Sequence, residues 1–222
     1  MMIVKRFLFK PICNLAEIAF LSVGMLPSLA EPTAPMISRS GAAVAQIVVP
    51  ASATPVEQSA ARELQEHLGK VTGATFGIVA DTTPKSGPRL LVGNTAAARS
   101  LMPDFDPKAA AYDGIVLKTF GDDLILNGHP QRGALYAVYS FLEDSVGVRW
   151  WTSDETFIPN RPTLQLPVLD IRYAPKLRFR ESYYLDSFNA LFKTRLKGNF
   201  SSRTRYVFDP MEMIPEAYGG NH

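Results

Sequence analysis

RGALYAVYSFLEDSVGVRWW, residues 132–151, joins a helix signal directly to a strand signal. Its apolar residues recur at three- and four-residue steps, which predicts one buried helix face over residues 132–146: Leu135, Val138, Leu142 and Val146. Gly147 is a typical helix end, and the aromatic residues 148–151 predict a strand. The run contains almost no group that could carry out chemistry. It therefore indicates a packing unit that supports some other part of the protein.

The first 30 residues predict a secretory signal peptide. A basic start (Lys5, Arg6, Lys10) precedes a mainly apolar run, and Ser28-Leu29-Ala30 forms a small-x-small cleavage site. The apolar run is shorter than the roughly 20 residues that a membrane span needs. The alternative is a retained N-terminal anchor. Cleavage predicts an exported protein, periplasmic or extracellular.

The composition excludes several classes of function. The chain has 222 residues, of which 46% are hydrophobic and 20% charged, as in ordinary globular proteins. Signal cleavage removes three of 23 basic and one of 21 acidic residues, so the mature chain has 20 of each. A balanced charge argues against nucleic acid and, after cleavage, against membrane partners. The one cysteine, Cys13, leaves with the signal, and the three histidines lack metal-ligand spacing; we expect no metal or cofactor.

Residues 31–44 are rich in Pro and Ser and predict a linker, followed by a domain over residues 45–172. Thr54 and Glu57 form a capping box at the start of a long helix that Gly73 ends. Short strand-like runs and one tight hairpin around residues 120–122 make up most of the remainder. The pattern predicts an α+β fold: a mixed, largely antiparallel sheet with two long helices packed on it.

The candidate site residues are few. Trp150 and Trp151 are consecutive in a strand, so one should face the core and the other the opposite side. An exposed Trp151 would offer either a platform for a sugar ring or a surface for interdomain packing. The acidic pairs at 122–123 and 154–155 suggest a turn and a solvated loop rather than a glycosidase pair. His67 lies off the apolar stripe of its helix and is expected to be solvated, and His129 is expected to be a turn residue.

Arg178, Arg180 and Glu181 are the best binding candidates. Strand alternation would put Arg178 and Arg180 on one face and Glu181 on the other. A guanidinium offers forked donors that suit vicinal hydroxyls or a carboxylate. The alternative is a solvated strand edge.

Four runs in order resemble one accessory domain: ARELQEHLGKVTG (61–73), LLVGNT (90–95), LILNG (124–128) and the run at 132–151. This domain precedes the catalytic barrel in alpha-glucuronidases and family 20 beta-N-acetylhexosaminidases. The chain looks most similar to the related bacterial glycoside hydrolase family 163 group. The resemblance covers roughly residues 45–199 and implies a sheet with helices on one face, followed by a (β/α)8 barrel.

In that resemblance, residues 177–189 correspond to the first barrel strand and its exit. Arg180 matches an arginine that contacts sugar hydroxyls in hexosaminidases, although Glu181 stands where the family usually has a small residue. Such a barrel takes about 250 residues, and 50 residues follow Arg172. Residues 173–222 are therefore expected to be a truncated start of the barrel. The family's catalytic carboxylates lie on later strands and have no counterpart here.

The sequence thus predicts the noncatalytic accessory domain of an exported glycoside hydrolase that acts on a glycan. Alone it would be inactive, because the barrel is missing. Its predicted substrate-binding residues are Arg180 and Trp151. The alternative is a free-standing carbohydrate-binding module.

Overall fold

A computed structural model describes residues 34–182 and 184–199. The predicted signal peptide and residues 200–222 of the predicted barrel start lie outside the described residues. The helices are α1 (Pro55–Thr72), α2 (Ala96–Leu101), α3 (Gly133–Ser140) and α4 (Ala190–Arg195), with a π-helical segment (Phe141–Val146) and a 3-10 turn (Leu185–Phe188). The strands are β1 (Met36–Arg39), β2 (Ala42–Ala43), β3 (Gln46–Val49), β4 (Ile78–Ala80), β5 (Arg89–Val92), β6 (Ile115–Phe120), β7 (Asp123–Gly128), β8 (Arg149–Trp150), β9 (Thr156–Phe157), β10 (Leu164–Gln165) and β11 (Asp170–Tyr173).

A six-stranded mixed sheet forms the centre of the described region, with strand order β11-β6-β7-β5-β3-β4. The α+β class and the mixed sheet are as predicted, and so is the β6–β7 hairpin. The expectation of a largely antiparallel sheet is wrong for this sheet, because β3–β4, β3–β5 and β5–β7 are all parallel pairs. The physical reason is that α1 carries the chain back between β3 and β4, and β6 carries it back between β5 and β7, as parallel pairing requires. Antiparallel pairs form one side of this sheet and the small accessory sheets.

Local sequence accounts for α1. The hydroxyl of Thr54 accepts from the backbone N–H of Glu57 at 3.3 Å, and the Glu57 carboxylate accepts from the N–H of Thr54 at 2.8 Å. Pro55 follows at the first helical position. Gly73 ends the helix with a left-handed φ of 75°, as predicted.

The two faces of the sheet have separate cores. Ile47, Leu90 and Leu126 belong to the large core that contains α1 and α3. Their neighbours Val48, Leu91 and Ile125 point the other way and pack with Ala98 and Met102 from the region of α2. The two long helices therefore pack on the sheet as predicted. The short helix α2 lies on the opposite face, where the resemblance implied none.

Within residues 132–151, α3 continues as the π-helical segment, which ends at Gly147. One buried face was predicted, but every residue of α3 is buried. The helix contacts α1 and the sheet, and it also contacts α4. Trp150 is 5% exposed and Trp151 is 60% exposed, so the two tryptophans face opposite sides as expected.

Residues 36–43 form β1 and β2 rather than part of the linker predicted for 31–44. β1 pairs antiparallel with β2 and with β10, and Ile37 is fully buried. The partner strand β10 lies more than a hundred residues away in sequence. Local composition therefore could not indicate that this segment is part of the folded domain.

Candidate functional site

Arg180 lies in a segment that forms no strand within the described residues, so the strand expected to contain Arg178, Arg180 and Glu181 is not formed. Its backbone groups are paired with Asn199 instead: the Arg180 N–H donates to Asn199 Oδ1 at 2.9 Å, and the Asn199 N–H donates to Arg180 O at 3.1 Å. A strand needs a neighbouring strand with which its backbone can pair. Here the backbone of Arg180 pairs with the single residue Asn199 instead. The expected alternation of faces over residues 178–181 consequently does not apply.

The Arg180 side chain is held by three acceptors. Its Nη2 donates to Asp113 Oδ2 at 2.6 Å, its Nε to Lys197 O at 2.9 Å and its Nη1 to Leu177 O at 2.9 Å. These bonds use three of the five guanidinium N–H donors. The side chain is 20% exposed. The arginine is therefore fixed in position while part of it still faces solvent.

Asp113 is the centre of this arrangement and was not predicted. Its carboxylate is fully buried and accepts from Arg132 Nε at 2.6 Å, from Arg180 Nη2 at 2.6 Å and from Asn199 Nδ2 at 2.8 Å. Asp113 has a left-handed φ of 57°, a conformation that Asp tolerates better than most residues. The available sequence signal was the Asp113-Gly114 dipeptide, which is typical of a turn. It indicates the turn but not the buried charge.

Tyr112 adds a second attachment. The guanidinium carbon of Arg132 lies 4.7 Å from the centre of the Tyr112 ring, and that of Arg178 lies 4.9 Å from it. A cation over an aromatic ring is attracted to the negative face of the ring. Arg178 therefore also joins its segment to the domain, in addition to Arg180.

A pocket of about 500 Å³ lies beside this network. Its walls include Ile115 of β6, Tyr173 of β11 and Tyr136 of α3, and Arg180 and Leu196 close it from the other side. The Tyr136 hydroxyl donates to Gly198 O at 2.8 Å. Burial raises the pKa of Tyr136 above its usual range, so the phenol stays protonated. The pocket is mainly apolar, and most of its polar groups are engaged in holding residues 177–199.

Trp151 occupies a different neighbourhood. Its backbone N–H donates to Glu155 O at 3.0 Å, beside the β8–β9 hairpin. Phe157 in β9 is also exposed, at 52%. Within the described residues, neither a hydrogen bond nor a ring contact joins Trp151 to Arg180. The structure therefore does not bring the two predicted binding residues together in one site.

His67 is 2% exposed, so the expectation of a solvated histidine is wrong. The Trp150 indole N–H donates to His67 Nε2 at 3.3 Å, and His67 Nδ1 lies 2.8 Å from Glu63 O. Because Nε2 accepts, the Nδ1 of a neutral ring donates to that carbonyl. Burial lowers the pKa of His67. His129 is a turn residue as expected, since Gly133 N–H donates to its carbonyl at 2.7 Å.

The two acidic pairs lie in a turn and in an exposed loop, as expected. Asp154 and Glu155 lie exposed in a loop. Asp123 is bound by Arg89, with Nη2 to Oδ2 at 2.6 Å, and Asp122 pairs with Lys85 at 2.5 Å. Within residues 34–182 and 184–199, no group of three or more metal-ligating side chains comes together. In the same part of the chain, no helix is long and apolar enough to cross a membrane.

Comparison with known proteins gives one family match. Residues 37–141 match the model of the glycosyl hydrolase family 67 N-terminus. Among solved structures, a family GH115 4-O-methyl-alpha-glucuronidase with specificity for decorated arabinogalactans is 19% identical, with a TM-score of 0.48. The alignment covers 64% of this chain and 19% of that one. No curated protein sequence matches. The family match supports a glycoside hydrolase accessory domain for residues 37–141.

Proposed function

We propose that this chain is the noncatalytic accessory part of an exported glycoside hydrolase that degrades glycans. The match of residues 37–141 to the family 67 N-terminus supports the family assignment. Glycoside hydrolysis generally needs two carboxyl groups that flank the scissile bond. In the 500 Å³ pocket, Asp113 is committed to Arg132 and Arg180, so Asp144 has no second carboxylate to work with.

The attachment of residues 177–199 carries the proposal. This segment is fixed to the domain through Asp113, yet it turns apolar side chains outward. Leu177 is 70% exposed, Leu185 is 85% exposed and Tyr184 is 48% exposed. Leu177 and Tyr184 line the same shallow pocket, and exposed apolar side chains that lie together are typical of an interaction site. The surface suits a catalytic barrel of the same polypeptide, which would cover these side chains.

In its finer form, the proposal follows the hexosaminidase-like and family 163-like pattern. Residues 177–199 would lead into the catalytic barrel, and the catalytic carboxylates would lie on the strands of that barrel. Arg180 would contact sugar hydroxyls with the N–H donors that Asp113 and the two carbonyls leave unused. Asp113 would then be a positioning residue that sets the orientation of the guanidinium.

The test is an activity assay on the purified 222-residue chain. Aryl alpha-glucuronides, aryl N-acetyl-beta-glucosaminides and N-glycans are the substrates. We expect no turnover on any of them. Turnover that persists through purification and is lost on heat denaturation would show that the chain is catalytic by itself.

A carbohydrate-binding module is the second candidate, favoured by the exposed rings of Trp151 and Phe157. An exposed indole can stack on the apolar face of a sugar ring. Glycan titration followed by tryptophan fluorescence tests it, because Trp150 is buried and should report little. A saturable change that disappears in Trp151→Ala and weakens in Phe157→Ala supports binding. An unchanged signal at saturating glycan rules out this surface.

A further inference from the structure

The described sheet reverses its winding between β3 and β5. These two strands are parallel neighbours. The chain leaves β3 towards α1 on one face of the sheet and leaves β5 towards α2 on the other. The two connections therefore diverge and leave a crevice at the carboxyl ends of the strands. In open sheets with parallel strands, ligands generally bind at such a reversal.

A pocket of about 300 Å³ occupies this crevice. Ser52 and Thr54 follow β3, Asn94 follows β5, and Asn127 and His129 come from the end of β7 and the turn after it. His129 contacts the Tyr112 ring, with ring centres 5.3 Å apart, and so borders the network around Asp113. The other four residues have no hydrogen bond or ring contact with that network or with Trp151 within the described residues. The pocket is at the small end of the usual range for ligand sites.

A carboxylate of the protein, that of Glu57, already lies in the crevice. The Glu57 carboxylate accepts from the Thr54 N–H at 2.8 Å and from the Asn94 N–H at 2.9 Å. It lies so close to Gly93 that a Cβ there would be 2.2 Å from Glu57 Oε1. Backbone N–H groups at this place would otherwise suit a phosphate. Glu57 takes that position, so a phosphate-like ligand is disfavoured.

One amide donor that lines the pocket has no hydrogen-bond partner among the described residues. Asn127 is 4% exposed and lines the pocket. Its Oδ1 accepts from the Gly128 N–H at 2.8 Å, which sets the orientation of the amide. No described residue accepts from its NH₂ group. The NH₂ group is not among the fully buried side-chain atoms that lack a partner, so it is accessible from the pocket and can donate to an acceptor of a bound ligand.

The remaining lining fits hydroxyl groups. Two basic side chains, Arg99 and Lys108, balance two acidic ones, Glu57 and Asp106, so the pocket has no net charge. Amides and hydroxyls make up most of the other polar groups, and a ligand hydroxyl can both donate to them and accept from them. We propose that this crevice binds a neutral polyhydroxyl ligand of monosaccharide size. The site would give the accessory domain a ligand of its own, whether or not a barrel is attached.

The test is an NMR titration of the isotope-labelled 222-residue chain with glucose, galactose and xylose. Glucuronate and inorganic phosphate are the charged comparators. We expect saturable shifts of the Asn94 and Gly128 amides with at least one neutral sugar, at a dissociation constant of about 1 mM. Shifts with glucuronate or phosphate alone would overturn the neutral ligand class. An absence of shifts with every neutral sugar would overturn the site.

Two variants locate the binding. Asn127→Asp keeps the acceptor for Gly128 and removes the NH₂ donor. Ser52→Trp places a bulky ring at an exposed position in the pocket wall, so it should fold even if Asn127→Asp does not. Ser100→Trp, also exposed but outside the pocket, is the matched control. We expect affinity to fall at least about tenfold in Ser52→Trp, corresponding to the loss of one or two hydrogen bonds, and to stay unchanged in Ser100→Trp. Unchanged binding in Ser52→Trp would overturn the location, and Trp151→Ala should leave it intact.

Discussion

At the scale of single residues, Asp113 attaches residues 177–199 to the rest of the domain. Its three partners lie 19, 67 and 86 residues away in sequence. The carboxylate is buried between two guanidinium groups, so its removal would leave the buried Arg132 without this counter-charge. Breaking such a pair is far more costly than losing a surface ion pair.

We expect Asp113→Ala to lower the free energy of unfolding by about 3 kcal/mol or more. Urea denaturation of the purified chain measures the change. Asp154→Ala, in the exposed loop after Trp151, is the control and should leave the midpoint unchanged. Equal midpoints for the two variants would mean that the Asp113 network contributes nothing to stability.

His67 gives the fold a pH dependence. Burial beneath Trp150 lowers its pKa, while Glu63 and Glu66 favour the protonated ring and Arg195 opposes it. In the unfolded chain histidine titrates at about 6.5, so the unfolded state takes up the proton first as the pH falls. The free energy of unfolding should therefore decrease as the pH drops below about 6.5.

We expect His67→Gln to flatten this decrease, because glutamine can still accept from the Trp150 indole but does not titrate. Thermal unfolding at a series of pH values between about 5 and 8 measures the slope. His129→Gln is the matched comparison, since burial also lowers the pKa of His129 and adds a slope of the same sign. A slope identical to that of the parent protein in His67→Gln would show that His67 is not the source.

At the scale of elements, the contact between β7 and α3 depends on two glycines. A Cβ on Gly133, at the start of α3, would lie 2.4 Å from the carbonyl carbon of Gly128 at the end of β7. Both groups are backbone, so neither can move aside without shifting a helix or a strand. Tight backbone contact here lets α3 lie directly on the sheet.

Gly133→Ala should destabilise the domain by about 1–3 kcal/mol or more, the usual cost of overpacking. Gly77→Ala is the control, because nothing lies within 4 Å of a Cβ at that position. Denaturation midpoints of the two variants test the comparison. A Gly133→Ala protein as stable as Gly77→Ala would mean that the approach of α3 to β7 is readily relaxed.

The parallel pairing of β3, β4, β5 and β7 is the main feature of the sheet that we did not predict from the sequence. Leu90, Leu91 and Val92 are consecutive buried residues in β5, and Leu124, Ile125 and Leu126 are consecutive in β7. Continuous apolar runs are typical of strands covered on both faces, as parallel strands usually are. That signal was present in the sequence. The hairpin at β6–β7 and the many short turns favoured an antiparallel sheet instead.

At the scale of the whole described region, α4 is attached to α1 by an ion pair. Arg195 Nη2 lies 3.1 Å from Glu63 Oε2, and both side chains are mostly buried. The Arg195 guanidinium also lies 5.8 Å from the centre of the Trp150 ring. Together with Asp113, this contact fixes residues 177–199 at both ends.

A double-mutant cycle of Arg195→Ala and Glu63→Gln should give a coupling energy of about 1–2 kcal/mol. We also expect faster amide hydrogen exchange in residues 190–195 and a shift in tryptophan fluorescence, because Trp150 loses its cation. Arg62→Ala, next to Glu63 on the exposed side of α1, is the control. Additive effects without coupling would show that the ion pair does not hold α4.

The sequence by itself determined the elements that local rules govern: the α1 cap at Thr54 and Glu57, the helix end at Gly147, and the opposite faces of Trp150 and Trp151. These features depend on residues a few positions apart, so a local pattern contains them. Only the tertiary structure decided which strands are neighbours in the sheet, that β1 joins β10, and that Asp113 holds Arg180. Pairing partners and counter-ions come from distant parts of the chain. Their identity depends on packing, which periodicity and composition do not encode.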